Sequence, residues 1–200
     1  MFRSIFNIIF LIGLIVYLFT IYMPRIRQYK RGKTTGMQSS PLDVALDFLA
    51  FIGWMLIPAI YIFTSWLNFA DYSLPDWLAW FGVLVFSGSI WIFGQAYSAL
   101  GNNWSPRIEI MDEHTLVTDG IYAYIRHPVY SAMWLWAFSQ PLLLHNWIAG
   151  FGLLVTFLPL YLLRVPREEQ MMLEHFGQIY QIYLERTGRI LPKFGDKDRS

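Results

Sequence analysis

The polar segment 114–130 contains the residues of this chain that could do chemistry. It places Arg126-His127-Pro128 directly before an apolar run. Ionisable side chains beside an apolar run are costly in lipid, so a functional role is the first interpretation. Pro128 can open a helix, because its missing N–H is not needed there. The N–H groups of Val129, Tyr130 and Ser131 would then point out of the helix start and offer a site for an anion.

Arg164 closes the last apolar run and lies four residues before Glu168. The two side chains could face each other, and a planar guanidinium there could hold a carboxylate through two hydrogen bonds. A membrane-edge arginine beside acids that complement a helix dipole explains the same residues. Arg126 and His127 could likewise reach to water, and the tyrosines of the segment could form an aromatic belt at the headgroups. Taken singly, these features leave both interpretations open.

The overall composition is that of an integral membrane protein. Of 200 residues, 56% are hydrophobic and 14% are charged, whereas a soluble domain usually carries about 25% charged residues. The net charge of +1 gives no nucleic-acid signature, and the absence of cysteine excludes disulfides, thiolate nucleophiles and cysteine zinc sites. No Gly-x-Ser-x-Gly motif or phosphate-binding glycine loop occurs, and no two histidines have the i, i+4 spacing of a helical metal pair. We therefore expect no nucleic-acid partner and no metal.

Long apolar runs predict an all-α, polytopic membrane protein with about five transmembrane helices. A span needs roughly 20 apolar residues. Two shorter runs should form a tight C-terminal helical hairpin, which could be re-entrant. Glycines spaced by six in the third run could allow close helix packing or could be incidental. The runs are Ile5–Met23, Val44–Leu67 with a kink predicted at Pro58, Trp77–Leu100, Val129–Leu144 and Trp147–Leu163.

Charge along the chain predicts its orientation and its two parts. Lysines and arginines concentrate in the loop 24–41, which should be cytoplasmic. Five spans then place the N-terminus outside and the segment 101–128 and the C-terminus inside, although Arg3 disagrees. The first run has no small-residue cleavage site, so we expect a retained span and not a signal peptide. We assign residues 1–100 to three N-terminal transmembrane helices, and residues 101–200 to the motif region, hairpin and C-terminal helix.

The segment Arg167–Arg186 predicts a cytoplasmic amphipathic helix. Pro166 suits its first position and Gly188 its end. We expect a frayed tail over Asp196–Ser200. The apolar stripe, at i, i+4, i+7, i+8 and i+11, consists of Met172, Phe176, Ile179, Tyr180 and Tyr183.

The order of these motifs resembles the isoprenylcysteine carboxyl methyltransferase family. The resemblance covers about residues 95–192, in the C-terminal half of the chain. Phospholipid N-methyltransferases share a looser version, and the length and number of spans resemble the small prokaryotic members. The matching positions are His114, Leu116, Val117, Gly120, Tyr122, Arg126, His127, Pro128 and Tyr130, followed after the hairpin by Arg164, Glu168, Glu169, Phe176, Gly177 and Tyr180.

The resemblance implies S-adenosylmethionine as the cofactor, with S-adenosylhomocysteine as the product. It implies carboxyl O-methylation of an isoprenylcysteine-like lipophilic substrate that enters from the membrane lipids, at a site facing the cytoplasm. Arg164 matches the position used toward the substrate carboxylate and is the expected catalytic and substrate-binding residue. The expected cofactor contacts are His114, Thr115, Leu116, Val117, Tyr122, His127, Pro128, Val129, Tyr130 and Glu168.

Two other functions stay open at this point. A phospholipid or other lipid amine N-methyltransferase must remove a proton from its acceptor, and His114 or Glu168 could serve as the base. A non-catalytic membrane sensor or scaffold could keep the same shape, although the intact set of motif residues argues against it. The N-terminal half is shorter than in eukaryotic members, so the natural acceptor is left open.

Overall fold

The structure, a computed structural model, describes residues 5–29, 40–101 and 115–193. His114, most of the basic loop and the predicted tail 196–200 lie outside these ranges. The π-helical turns Tyr17–Tyr22 and Ile52–Leu56 join α1 to α2 and α3 to α4, and Pro58, the predicted kink, follows the second of them. The helices are α1 (Ile5–Val16), α2 (Met23–Tyr29), α3 (Pro41–Phe51), α4 (Ile57–Phe63), α5 (Asp76–Leu100), α6 (Pro128–Leu144), α7 (Trp147–Phe176) and α8 (Gln178–Arg186).

Helical segments long and apolar enough to cross a membrane confirm an integral membrane fold. The described ranges contain four of them, namely Ile5–Arg27, Pro41–Phe63, Asp76–Leu100 and Trp147–Phe176. α6 has 17 residues, which gives a length of about 25 Å at 1.5 Å per residue. The hydrocarbon core of a bilayer is about 30 Å thick, so the count of five spans stays a prediction.

α6 is surrounded by aromatic side chains from the other helices. Its Trp136 is fully buried. Helices associate in lipid through close packing and hydrogen bonds, because the lipid tails are as apolar as the side chains. The cluster therefore fixes the N-terminal helices against the hairpin. The rings that contact Trp136, at centroid distances of 4.6 to 6.3 Å, belong to Phe10, Tyr17, Trp54, Phe86 and Phe93.

Two glycines allow helix backbones to approach closely. A Cβ atom on Gly53 would lie 2.5 Å from the carbonyl oxygen of Gly152, so a side chain there would separate the second π-turn from α7. A Cβ atom on Gly82 would lie 2.6 Å from Leu142 Cβ. At Gly88 no atom lies within 4 Å of the added position, so the glycine spacing in α5 serves packing at some positions and not at others.

The second apolar helix begins and ends earlier than the sequence predicts. It covers Pro41–Phe63 instead of Val44–Leu67. Ser40 caps the helix by accepting a hydrogen bond from the backbone N–H of Asp43 at 3.2 Å, and a proline follows at the first helical position. This earlier start adds Asp43 to the helix, whereas the predicted span already included Asp47.

The segment Arg167–Arg186 is helical and ends at Arg186 as predicted, but it is not one separate helix, and its predicted start at Pro166 is wrong. α7 continues through Pro166 and ends at Phe176, and Gly177, with a φ of 55°, separates it from α8. Neighbouring helices can satisfy the carbonyl that a proline leaves unbonded in a membrane helix, so Pro166 need not start one. Arg164 therefore stands one turn before the two glutamates on one continuous helix.

Candidate active site

A cavity of about 450 Å³ lies between the N-terminal helices and the α6–α7 hairpin. Its volume falls within the range of about 300–1,000 Å³ that is usual for small-molecule sites. One group of lining side chains is ionisable and consists of Asp47, Arg126, His127, Arg164 and Glu168. The aromatic group consists of Tyr17, Tyr22, Phe51, Trp54, Phe93, Tyr97, Tyr122, Tyr130, Phe157, Tyr180 and Tyr183.

Arg164 lies at the centre of the charged group. Its side chain is 8% exposed, and its Nε donates to Glu168 Oε1 at 3.0 Å while its Nη1 donates to Asp47 Oδ1 at 2.6 Å. The Tyr130 hydroxyl donates to the same Glu168 oxygen at 2.8 Å. A buried guanidinium is costly without such partners, so the two carboxylates hold it in place.

His127 lies between the two adjacent glutamates of α7. Its Nδ1 is 3.8 Å from Glu168 Oε2, and its Nε2 is 3.3 Å from Glu169 Oε1. Glu169 also accepts hydrogen bonds from Arg126 Nε at 3.2 Å and from two nitrogens of Arg189. The hydrogen bonds to Glu169 raise the pKa of the Arg189 guanidinium. Glu168 thus faces the cavity, while Glu169 joins the imidazole to two arginines behind it.

The start of α6 presents backbone donors to the cavity. Pro128 occupies the first helical position, as predicted, and His127 makes no side-chain capping hydrogen bond. The first backbone hydrogen bond of this helix runs from Ser131 N to His127 O at 3.0 Å. The N–H groups of Val129 and Tyr130, two cavity-lining residues, belong to the turn that has no intrahelical acceptors. Such a helix start favours an anionic group.

Residues 188 and 189, which follow α8, form backbone hydrogen bonds with the residues just before α6. The backbone N–H of Arg126 donates to Gly188 O at 2.8 Å, and that of His127 donates to Arg189 O at 2.9 Å. The Gly188 N–H returns a hydrogen bond to Tyr124 O at 3.1 Å. The position of the His127 ring therefore depends on a segment about 60 residues further along the chain, a separation that exceeds any local turn.

The 3₁₀ turn Gly120–Ala123 forms another part of the wall. Gly120 has a φ of 59°, the left-handed conformation that glycine adopts without strain. The turn buries Tyr122, whose carbonyl oxygen accepts a hydrogen bond from the Tyr183 hydroxyl at 2.7 Å. Burial raises the pKa of both phenols, so they stay neutral and serve as polar wall groups instead of bases.

Most of the residues expected to contact the cofactor come together at the cavity. His114 lies outside the described residues, and Pro128 is buried at the helix start without lining the cavity. Arg164, the expected substrate-binding residue, lines the cavity as well. The roles of all these residues stay predictions. The other expected cofactor contacts line the cavity, namely Thr115, Leu116, Val117, Tyr122, His127, Val129, Tyr130 and Glu168.

The N-terminal helices contribute to the cavity in a way that the sequence did not predict. Tyr17, Tyr22, Asp47 and Trp54 line the cavity, although this half of the chain contains no motif. The aromatic residues could not be distinguished from lipid-facing ones, because both kinds occur throughout apolar helices. A carboxylate inside an apolar run was the available signal for Asp47.

Together the fold and the cavity define an all-helical integral membrane protein with a mixed polar and aromatic site between its helices. Residues 81–174 match the model of the isoprenylcysteine carboxyl methyltransferase (ICMT) family. The chain therefore resembles that family over just under half of its length, and the relatives and the solved structure described next show the same resemblance.

Curated relatives carry the corresponding enzyme name. The chain is 27% identical to protein-S-isoprenylcysteine O-methyltransferase of Dictyostelium discoideum, over 76% of this chain and 60% of the relative. It is 29% identical to the Homo sapiens protein of that name, over 77% of this chain and 57% of the relative. The chain thus matches less than two thirds of the length of these relatives.

A solved structure has a similar fold. It is described as the eukaryotic intramembrane Ras methyltransferase ICMT, and it aligns with a TM-score of 0.52 at 25% identity. The alignment covers 78% of this chain and 54% of the solved one. Asp47 lies outside the residues that match the family model.

Proposed function

We propose that this protein is an S-adenosylmethionine-dependent methyltransferase that methylates the carboxylate of an isoprenylcysteine-like lipophilic acceptor at the membrane. The observation that carries this proposal is the cavity, in which the charged group around Arg164 shares one space with an aromatic wall. This combination suits a molecule with an ionised head and an apolar tail. The names of the relatives support the same reaction.

The residues at the cavity fit the proposed cofactor. Its amino-acid carboxylate suits the uncapped N–H groups at the start of α6. Its ammonium and ribose hydroxyl groups suit the Glu168 carboxylate, and its flat adenine suits the segment Thr115–Val117, which lies outside the helices. When bound, the cofactor supplies a methyl group activated by its attachment to a sulfonium.

Arg164 would bind and orient the acceptor. A carboxylate is ionised at neutral pH, so the acceptor needs no general base. A guanidinium can hold a carboxylate through two parallel hydrogen bonds, which fixes the direction of the attacking oxygen. The aromatic wall would exclude water around that oxygen. We therefore assign most of the rate enhancement to positioning, which can lower a barrier by several kcal/mol.

We place the cavity on the cytoplasmic side, with the N-terminus outside. Arg25 and Arg27 lie at the end of the first helix that continues from the cavity-lining Tyr22. The linker 64–75, at the opposite ends of the second and third spans, contains no lysine or arginine. This asymmetry supports the orientation under the positive-inside rule.

The decisive experiment is methyl transfer by the purified protein from cofactor labelled on the methyl group. Three acceptors are compared: N-acetyl-S-farnesylcysteine, its carboxamide and phosphatidylethanolamine. Label should enter the first acceptor only, and Arg164→Ala should abolish most of the transfer. Label in the amine lipid would replace the proposal with N-methylation. If S-adenosylhomocysteine does not bind to the folded protein in calorimetry, the methyltransferase proposal is wrong.

A further inference from the structure

Asp47 occupies a hydrogen-bond donor of Arg164 that a substrate carboxylate would need. It lies on α3, 117 residues before Arg164, and accepts from the guanidinium Nη1 at 2.6 Å. The Arg164 side chain is 8% exposed, whereas that of Asp47 is 48% exposed even though it lines the cavity. A carboxylate from the N-terminal half therefore reaches into the site beside the residue that should hold the acceptor.

The two carboxylates on Arg164 are held unequally. Glu168 belongs to the same helix as Arg164, one turn away, and accepts from both Arg164 Nε and the Tyr130 hydroxyl. Asp47 reaches across from another helix, and its one hydrogen bond recorded among the described residues is that to Arg164. Water reaches the half-exposed Asp47 carboxylate and can replace its hydrogen bond, whereas the Glu168 carboxylate is 21% exposed. Asp47 is thus the partner that can be released.

Asp43, in the same helix, is more deeply buried than Asp47 and accepts more hydrogen bonds. It lies one turn before Asp47 and is 6% exposed. Its two oxygens accept from Arg167 Nη2 at 2.6 and 2.7 Å, and Ser40 Oγ donates to one of them at 2.9 Å. Asp43 therefore joins α3 to α7, so the contact between these helices does not depend on the hydrogen bond of Asp47.

For electrostatic reasons, Asp47 cannot keep its hydrogen bond to Arg164 when an acceptor carboxylate binds. One guanidinium already faces two carboxylates, so a third anion would add repulsion without a further cation at that point. A bidentate carboxylate needs two adjacent guanidinium nitrogens, either Nε with Nη2 or Nη1 with Nη2, and Glu168 and Asp47 each already bind one nitrogen of these two pairs. Binding of the acceptor therefore requires Asp47 to turn away into the cavity.

We propose that Asp47 is a specificity-determining residue that holds the place of the acceptor carboxylate on Arg164 and is displaced by it. This inference rests on the proposed function, because it assumes that Arg164 receives the acceptor. It also narrows the substrate class. The acceptor has a head with a single negative charge and an apolar tail whose burial offsets the free-energy cost of displacing Asp47 from Arg164. Acceptors with a second negative charge near the head are excluded.

The test compares wild type with Asp47→Asn, which keeps the shape and removes the charge. Binding of N-acetyl-S-farnesylcysteine and of its carboxamide is measured by calorimetry with saturating S-adenosylhomocysteine. We expect the carboxylate to bind about three- to ten-fold more tightly to the variant, and the carboxamide to bind equally to both proteins. In turnover, the change should appear in KM and not in kcat.

Asp119→Asn is the matched control, because it removes one negative charge from an exposed position outside the cavity. Its carboxylate affinity should equal that of wild type. Weaker or unchanged carboxylate binding by Asp47→Asn would overturn the inference, as would an equal gain for the carboxamide. If wild type binds the carboxylate but transfers no methyl group, the proposed function fails while the comparison still decides the role of Asp47. If neither protein binds the carboxylate, both proposals are wrong.

Discussion

Arg164 donates hydrogen bonds to carboxylates on two different helices, so a substitution of Arg164 affects more than one contact. Removing the guanidinium leaves Glu168 and Asp47 without their shared cation inside the cavity. An uncompensated charge in a partly buried site is strongly unfavourable. A substitution that keeps the positive charge therefore separates the directional role of the guanidinium from its charge.

Arg164→Lys is the corresponding prediction. Lysine keeps the charge but is a single point donor that cannot hold a carboxylate through two parallel hydrogen bonds. We expect kcat/KM for the carboxylate acceptor to fall about 10- to 100-fold, the equivalent of one charged hydrogen bond. Binding of S-adenosylhomocysteine should change much less. Kinetics equal to those of wild type would remove Arg164 from the acceptor site.

Glu168→Gln tests the cofactor side of the cavity. The amide can still accept hydrogen bonds from Arg164 and Tyr130, so the wall should keep its shape. Loss of the negative charge should weaken S-adenosylhomocysteine binding about 10-fold, as measured by calorimetry. Glu174→Gln, at an exposed position of the same helix, is the control and should bind like wild type. Equal affinities for the two variants would contradict the assignment.

At the residue scale, the residues that the sequence predicts for the C-terminal part of the site lie together at the cavity, and their roles stay predictions. His127, Tyr130 and Glu168 belong to a motif with fixed spacing, and the helix start that carries the first two depends on a local proline rule. Asp47 could not be joined to Arg164 in advance, because their contact spans 117 residues and depends on how two helices pack. Local patterns contain no information on such a distant pairing.

At the element scale, the side chain of one arginine joins the start of α6 to the end of α8 and to Thr187, in addition to the backbone hydrogen bonds with residues 188 and 189. Arg126 Nη1 donates to the carbonyl oxygens of Leu184 and Thr187, and its Nε donates to Glu169. Arg126→Ala should lower the stability by about 2–3 kcal/mol, because buried carbonyls and a carboxylate lose a charged donor. Thermal unfolding in detergent measures this change.

The same substitution should also weaken S-adenosylhomocysteine binding, because the neighbouring His127 loses its support. Arg186→Ala is the control, since Arg186 is an exposed arginine at the end of α8. A melting temperature for Arg126→Ala that matches this control would show that the segment is held by its backbone hydrogen bonds alone.

Alanine substitutions at two glycines should change the stability of the protein in opposite directions. A methyl group at Gly53 would lie 2.1 Å from Thr156 Oγ1, so Gly53→Ala should destabilise the protein by about 1–3 kcal/mol. Gly88→Ala meets no atom within 4 Å and should stabilise α5 by up to about 1 kcal/mol. If both variants melt at higher temperatures than wild type, or both at lower temperatures, this explanation of the packing is wrong.

Helix boundaries show where the prediction from sequence fails at this scale. Pro166 followed by a polar, periodic segment favours a new helix, and the local rule is sound for a soluble chain. The actual helix runs from Trp147 to Phe176, because packing against α3 and α6 supports it on both sides of the proline. Tertiary contacts thus override the local preference.

At the scale of the whole molecule, the orientation can be tested because the chain contains no cysteine. Ser73→Cys places a thiol in the linker before α5, and Asp119→Cys places one beside the cavity, both at exposed positions. A membrane-impermeant maleimide applied to intact spheroplasts should label only Ser73→Cys. Asp119→Cys should react only after permeabilisation, and the reverse pattern would invert the proposed topology.

The fold as a whole is the part that the sequence predicts most directly. Apolar runs of membrane length give the helices, and the structure confirms an all-helical membrane protein. The number of crossings does not follow from the runs, because the 17 residues of α6 are few for an upright span. The division at residue 100 also stays a prediction, since helices from both halves line one cavity.

The hydrogen bonds between residues 124–127 and 188–189 also set an order of events during biosynthesis. Ribosomes add roughly 5–20 residues per second, so about 60 residues of further synthesis leave the start of α6 without its support for several seconds. Stalled nascent chains that expose residues only up to 186 should therefore retain no labelled S-adenosylhomocysteine, whereas chains exposed through residue 193 should retain it. A newly made molecule would thus enter the membrane inactive and acquire its ligand only after its helices are in place.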